Sequence, residues 1–331
     1  MHSFVTFLVQ ARKVKNINRK ININLSAYEN LTHTKKIKWR KNMKNLTNIS
    51  VIKHLLEKYG FTFSKGLGQN FLINPSVCPK IAEYGFAQEG FGIIEIGTGF
   101  GTLSAELAKC ADKVVAVEID SRLIPVLDET MSEYNNFKVI NEDIMKTDLK
   151  SLIEREFSGL KVAVCANLPY YITSPVIMLL LENELPVEAI TVMVQKEAAQ
   201  RLCAKMGTRE SGAITAAVNY YGKAETLFNV SRGSFMPAPN VDSAVIQIRP
   251  DSEYRDKIND KALFFRIIKG AFAQRRKTLV NSLSSALGMP KGEITDVLEK
   301  TGLDKNARCE QLDMEMWTSL VNAFSALTDK Q

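Results

Sequence analysis

Histidine is nearly absent from this chain, and what there is sits at one end. The three histidines are His2, His33 and His54. Nothing beyond them offers an imidazole as general base or metal ligand, so histidine-dependent hydrolytic or metal chemistry is excluded from the rest. Cysteine is also scarce. Cys78, Cys110, Cys165, Cys203 and Cys309 are odd in number and form no Cys-x-x-Cys pair. That argues against a disulfide framework and against a zinc site, and it fits a reducing, cytoplasmic compartment. Long apolar runs are missing: Val176–Leu181 is strongly apolar but far too short to span a membrane. Acid is what the N-terminus lacks. Residues 1–50 hold eleven Lys/Arg and a single acid, Glu29, a balance of +10. The whole chain carries +7, so the remainder stands at −3. The basic total is therefore no argument for nucleic-acid binding by the body, which has to rest on local clusters.

What is present is a chain of 331 residues, 45% hydrophobic, enough for one sizeable core and a smaller appended unit. Residues 1–43 are rich in Asn, Ile and Lys without helical or strand periodicity. A transit peptide, a basic RNA-contacting tail, and translated sequence upstream of a true start at Met43 all fit. Sparse serine, and globular patterning that begins only near Ile52, favour the last.

From Phe91 apolar strands and amphipathic helices alternate. Strands are predicted at Ile93–Ile96, Val114–Val117, Phe137–Ile140, Val162–Ala166 and Ile190–Val194. Helices are predicted over Thr102–Ala111, from Ser121, from Pro175, and over Lys196–Lys205. Two later strands, near Glu225–Val230 and Val241–Ile248, have no long helix between them and fit an antiparallel pair. This is the pattern of an α/β, doubly wound, Rossmann-like sheet. Beyond Pro250 the period becomes helical: Leu263, Ile267, Phe272, Leu279 and Leu283, then stretches near Glu293–Lys300 and Asp313–Leu327. The expected division is a leader at 1–43, a main domain at 44–254 and a small helical domain at 255–331.

Four features carry chemistry. Glu95-Ile96-Gly97-Thr98-Gly99-Phe100-Gly101 lies between a strand and a helix, where glycines let backbone approach a ligand. Dinucleotide enzymes place a third glycine where this chain has Thr102, so a smaller ligand than a pyrophosphate fits better. Glu118 ends the next strand, 21 residues after Gly97, where a carboxylate can accept ribose hydroxyls. Asp143 follows the third strand and can accept from an adenine amino group, although a turn or cap explains such a residue equally well. Asn167-Leu168-Pro169-Tyr170-Tyr171 follows the fourth strand. The exocyclic nitrogen of adenine is a poor nucleophile because its lone pair is delocalised into the ring. The Asn167 side-chain oxygen and the Leu168 carbonyl can accept its two protons and aim that lone pair, with no strong base. Tyr170 can stack on an extruded base.

These motifs, with Gly68-Gln69-Asn70-Phe71-Leu72 before them and Phe235-Met236-Pro237-Ala238-Pro239-Asn240-Val241-Asp242-Ser243-Ala244 after them, stand in one order. In that order they resemble the small-subunit (16S) ribosomal RNA adenine N(6),N(6)-dimethyltransferases in their bacterial form. The likeness runs from about Ile52 to the C-terminus and includes Ala271–Leu279. It implies a class I methyltransferase sheet of seven strands with a small C-terminal helical domain that positions RNA. It implies S-adenosyl-L-methionine as cofactor, two adjacent adenosines near the 3′ end of small-subunit rRNA as substrate, the small ribosomal subunit as partner, no metal, and a monomer. By the same resemblance Asn70 and Leu72 close over the cofactor, Gly97 and Gly99 touch it, Glu118 and Asp143 bind its ribose and adenine, and Asn167 lies between donor and target. Pro169 fixes the backbone and Phe235 adds a second stacking face. Thr98 departs from the family, which more often has proline there.

Lys65 is a candidate phosphate contact. Arg275, Arg276 and Lys277 form a basic cluster that either positions an RNA backbone or is a solvated helical face. The rival readings are a large-subunit rRNA adenine methyltransferase of the macrolide-resistance type, a non-catalytic ribosome-assembly or transcription accessory protein, and, remotely, a nicotinamide oxidoreductase.

Overall fold

The computed structural model describes residues 45–64 and 66–328. The leader, with the question of Met43 as a start, and Lys65 lie outside the described residues.

Strands that are apolar on both faces belong in a sheet covered on both sides. Phe91–Ile96 is buried throughout, and Lys113–Glu118 nearly so. In chain order the strands are β1 (Phe71–Leu72), β2 (Phe91–Ile96), β3 (Lys113–Glu118), β4 (Phe137–Asn141), β5 (Lys161–Asn167), β6 (Ile190–Gln195), β7 (Lys223–Val230), β8 (Phe235–Met236) and β9 (Ser243–Arg249). Seven of them form one sheet in the order β4-β3-β2-β5-β6-β9-β7. β9 runs antiparallel to both its neighbours and the other pairs are parallel. The antiparallel pairing expected of the last two strands is therefore present.

Alternation within the strands assigns the two faces. Ile93, Val114, Ala163 and Met193 point to one side and pack against α1 (Ile49–Lys58), α2 (Val77–Tyr84), α3 (Thr102–Ala108) and α4 (Ile124–Thr130). Ile94, Val115, Val164 and Val192 point to the other, against α5 (Leu149–Glu156), α6 (Thr173–Glu182), α7 (Lys196–Leu202) and α8 (Ala213–Tyr221). The second layer does not stop at the sheet. It continues into α9 (Lys261–Ala273), α10 (Leu279–Leu287), α11 (Lys291–Lys300) and α12 (Met314–Thr328), ending around a fully buried Trp317. The joint is aromatic: Tyr220 stacks on Phe264 at 5.2 Å and Tyr221 on Phe265 at 5.7 Å.

Several expected boundaries move. The helix expected from Pro175 begins two residues earlier, at Thr173. A proline third in a helix is tolerated because the first N–H groups have no intrahelical acceptor. Ser121–Leu123 is a 3-10 turn capped by Asp120, with α4 proper starting at Ile124. The helices expected to reach Ala111 and Lys205 end at Ala108 and Leu202. The helical periodicity across Lys261–Leu287 is interrupted at 274–278, and the next helix opens at Leu279, whose N–H bonds Ala307 O at 2.8 Å. Arg275, Arg276 and Lys277 thus lie on a turn between helices, not on a helical face.

Candidate active site

Chain order runs outward from β2 to β4 on one side and from β5 to β6 on the other. The crevice at the carboxyl ends of β2 and β5 is thus a topological switch point, the usual ligand position in such sheets. A cavity of about 290 Å³ opens there. It gathers every residue expected to bind cofactor or act in catalysis: Asn70, Leu72, Gly97, Gly99, Glu118, Asp143, Asn167, Leu168, Pro169, Tyr170 and Phe235. Arg275, Arg276 and Lys277 are not among its walls.

Gly97 turns at φ +74°, and a Cβ there meets nothing within 4 Å, so this backbone faces open cavity. Gly99, at φ +56°, is needed for a different reason. An added Cβ would come within 2.8 Å of the Phe71 ring. That ring stacks on Phe100 at 4.2 Å and packs with Phe61 and Phe63, so the segment before β1 is held down on the glycine loop.

The N-terminal segment is secured at three further points. Leu72 pairs with Phe235 across the short β1–β8 ladder, which puts both at the cavity wall. Gln69 donates to Asp120 Oδ2 at 2.7 Å, and Asp120 in turn holds Arg122 at 2.6 Å. The Arg122 guanidinium keeps the Asp120 carboxyl below its ordinary range and lies over the Phe61 ring at 4.7 Å. Asn167 Nδ2 donates to Asn70 O at 3.3 Å.

Glu118 is buried at the end of β3. Its Oε2 accepts from Thr98 N at 2.9 Å and Thr98 Oγ1 at 3.0 Å, and its Oε1 from Asp120 N at 2.9 Å. A carboxylate oxygen has two acceptor sites, so Oε1 keeps one for a ligand hydroxyl. The expectation that both ribose hydroxyls find Glu118 acceptors needs the Thr98 hydroxyl to turn away. Asp143 Oδ1 accepts from Met145 N at 3.0 Å. Ile119 and Met145, both exposed, flank it on the cavity rim.

On the other side of the crevice, Leu168 donates its N–H to Met193 O at 3.2 Å and is buried. Pro169 leads into a 3-10 turn, Tyr170–Ile172. The Tyr170 hydroxyl pairs with Ser243 Oγ at 2.8 Å, and burial raises its pKa, which keeps the phenol neutral.

Behind the glycine loop lies Glu95, fully buried, with neither carboxyl oxygen in a hydrogen bond. Burial pushes its pKa up to about 8; Ser104, whose Oγ faces it without a bond of good geometry, pulls the other way, and the Glu118 charge adds to the rise. Among the described residues, no three or more His, Cys, Asp or Glu are grouped to hold a metal ion. No helix there is long and apolar enough to cross a membrane.

Sequence reasoning named neither Asp120 and Arg122 nor the rim residues Ile119 and Met145. Only the offset of Asp120, two residues past Glu118, hints at the first pair.

The profile of the family described as ribosomal RNA adenine dimethylase matches residues 60–326. Ribosomal RNA small subunit methyltransferase A of Geobacillus sp. (strain WCH70) is 46% identical over 276 residues, 82% of this chain and 95% of that protein. The protein of the same name from Bacillus mycoides (strain KBAB4) is 46% identical over 286 residues, 85% of this chain and 98% of its own. Among solved structures, a dimethyladenosine transferase from Plasmodium falciparum aligns at 28% identity and TM-score 0.65, covering 77% of this chain and 98% of that one. The 23S rRNA methyltransferase ErmE aligns at 25% identity and TM-score 0.60, covering 77% and 100%. The chain belongs to the ribosomal RNA adenine dimethylase family.

Proposed function

We propose that this protein transfers methyl groups from S-adenosyl-L-methionine to the exocyclic N6 of two adjacent adenosines near the 3′ end of small-subunit rRNA. The observation that carries the reading is the Asn167–Tyr170 wall facing the Gly97–Glu118 wall across one cavity. The lining suits the cofactor. Gly97 leaves backbone open to a ligand, Glu118 keeps an acceptor site for a ribose hydroxyl, and Asp143 lies between two exposed apolar rims where a purine would be covered. When bound, S-adenosylmethionine supplies a methyl group already activated on a sulfonium.

The residues of the chain then have to position and polarise the target. Because Asn167 Nδ2 is engaged by Asn70 O, the amide is oriented and Oδ1 is left to accept a proton of the adenine amine. The Leu168 carbonyl accepts a hydrogen bond from the second N–H. Drawing both N–H groups out of the base plane moves the nitrogen towards tetrahedral geometry and aims its lone pair at the donor, and the proton freed once the N–C bond has formed leaves to water. Tyr170, neutral and pinned by Ser243, presents its ring to the base, and Phe235 closes the opposite side. The protein acts in the cytoplasm as a monomer, and the helical region after residue 255 positions RNA through the basic turn of Arg275, Arg276 and Lys277, of which Arg276 and Lys277 are exposed.

Purified protein, labelled S-adenosylmethionine and small ribosomal subunits lacking adenine dimethylation test this directly. Wild type should yield labelled dimethyladenosine. Asn167→Ala should lose about 10²- to 10³-fold in kcat, a larger effect than the loss of cofactor affinity that follows from freeing Asn70. Label confined to large-subunit RNA would replace this reading with the resistance-type enzyme. Cofactor binding without label in any RNA would leave a non-catalytic accessory role.

A further inference from the structure

Among the described residues six large hydrophobic side chains are exposed, and three of them, Ile119, Met145 and Tyr171, line the cavity. The first two stand after β3 and β4, on the side where the cofactor's adenine is proposed to lie. Tyr171 stands after β5, on the opposite side of β2, with the Asn167–Tyr170 wall. It is 57% exposed, the most open of the six. The proposed function gives it no task.

Its geometry suggests one. Tyr170 and Tyr171 are consecutive residues of a 3-10 turn, so their side chains diverge by roughly a third of a turn. Tyr170 points inward to Ser243, and Tyr171 points out over the mouth. One edge of the Tyr171 ring rests on Gly68, where an added Cβ would lie 3.2 Å from Cδ1 and 3.3 Å from Cε1. Gly68 itself sits at φ +58°, a conformation that keeps other residues out. One ring edge is therefore seated while much of the ring is left open beside the entrance.

We propose that Tyr171 is the outer stacking platform of the RNA site, holding the nucleobase next to the one inserted for methylation. A base drawn into the cavity leaves its neighbour unstacked at the entrance, and an open aromatic ring there restores one stacking partner. Every base has a π face, so the platform contributes affinity and position rather than base identity. This inference rests on the proposed rRNA substrate.

The test compares Tyr171→Phe, Tyr171→Leu and Tyr171→Ala in the intact chain, on small ribosomal subunits lacking adenine dimethylation. Wild type is run first: if it fails to methylate them, the substrate reading falls and takes this inference with it. Given an active wild type, Phe should keep KM for the subunits. Leu and Ala should raise it roughly five- to hundredfold, with kcat at saturation and the Kd for S-adenosylmethionine near wild type. A leucine as good as phenylalanine, or an unchanged KM in the alanine variant, would overturn the platform. So would a parallel loss of cofactor affinity, because that marks a ring that only props Gly68 and the segment over the cavity.

Discussion

Glu95 is a carboxyl with no hydrogen bond in the middle of a core, directly behind the loop that approaches the ligand. A buried acid whose pKa is raised to about 8 holds a proton that the unfolded chain releases near 4.5. The folded state therefore binds one proton more than the unfolded state across that interval, and stability falls as pH rises from about 4.5 to about 8, then levels off. Glu95→Gln imitates the protonated acid and should abolish this slope. Urea unfolding at several pH values should find the variant nearly equal to wild type near pH 4.5 and more stable by on the order of 5 kcal/mol above pH 8. An unchanged slope would mean that Glu95 is ionised in the folded protein. At this scale the sequence was legible where the position of a residue follows from its strand. Gly97, Glu118, Asp143 and Asn167 stand at strand ends, and the sheet delivers strand ends to one place. What escaped were residues defined by partners far along the chain. Asp120 is bonded by Gln69, 51 positions earlier, and nothing local to either announces the other. The apolar burial of Glu95 is invisible for the same reason, because it is made by α3 and neighbouring strands and not by its own motif.

Secondary elements were readable where one periodicity dominated. The strands of the central sheet are runs of apolar residues bounded by glycine or polar residues, and their observed limits differ from expectation by a residue or two. α8 was missed because its buried face is built largely from Thr215, Ala216, Ala217 and Val218, a run with weak contrast between faces. The break between α9 and α10 was missed because no glycine or proline marks it, and the N–H it leaves free at Leu279 is satisfied by the Ala307 carbonyl, far along the chain. These two helices cross tightly at Gly270, where an added Cβ would lie 2.2 Å from the Ala286 Cβ. Gly270→Ala gains about 1 kcal/mol of helix propensity. The clash forces the helices apart at a cost of about 1–3 kcal/mol. We expect net destabilisation, read as a lower urea midpoint, and partial recovery when Ala286→Gly is added. A more stable single variant would show that the crossing has slack.

For the molecule as a whole, charge is segregated. The described body is not basic in sum, so RNA attraction depends on local groups. Of the basic run, Arg275 is already engaged by the Arg209 carbonyl and lies 3.8 Å from Glu310, whereas Arg276 and Lys277 are exposed. Replacing Arg276 and Lys277 together by alanine should weaken binding to small-subunit rRNA without changing which adenosines are modified. The slope of log K against log salt should shrink by about 1.5, the effect of two lost phosphate contacts. An unaltered slope would assign the run to solvent.

The aromatic joint between α8 and α9 has a consequence for that charge. With Tyr220 against Phe264, Tyr221 against Phe265, and one apolar layer passing from the sheet to Trp317, the basic turn has no hinge relative to the cavity. The chain is a ruler. If Arg276 and Lys277 hold phosphate as proposed, an RNA satisfies both ends only when its own fold sets the target adenosine and that phosphate at the matching separation. Span would then be selected along with base.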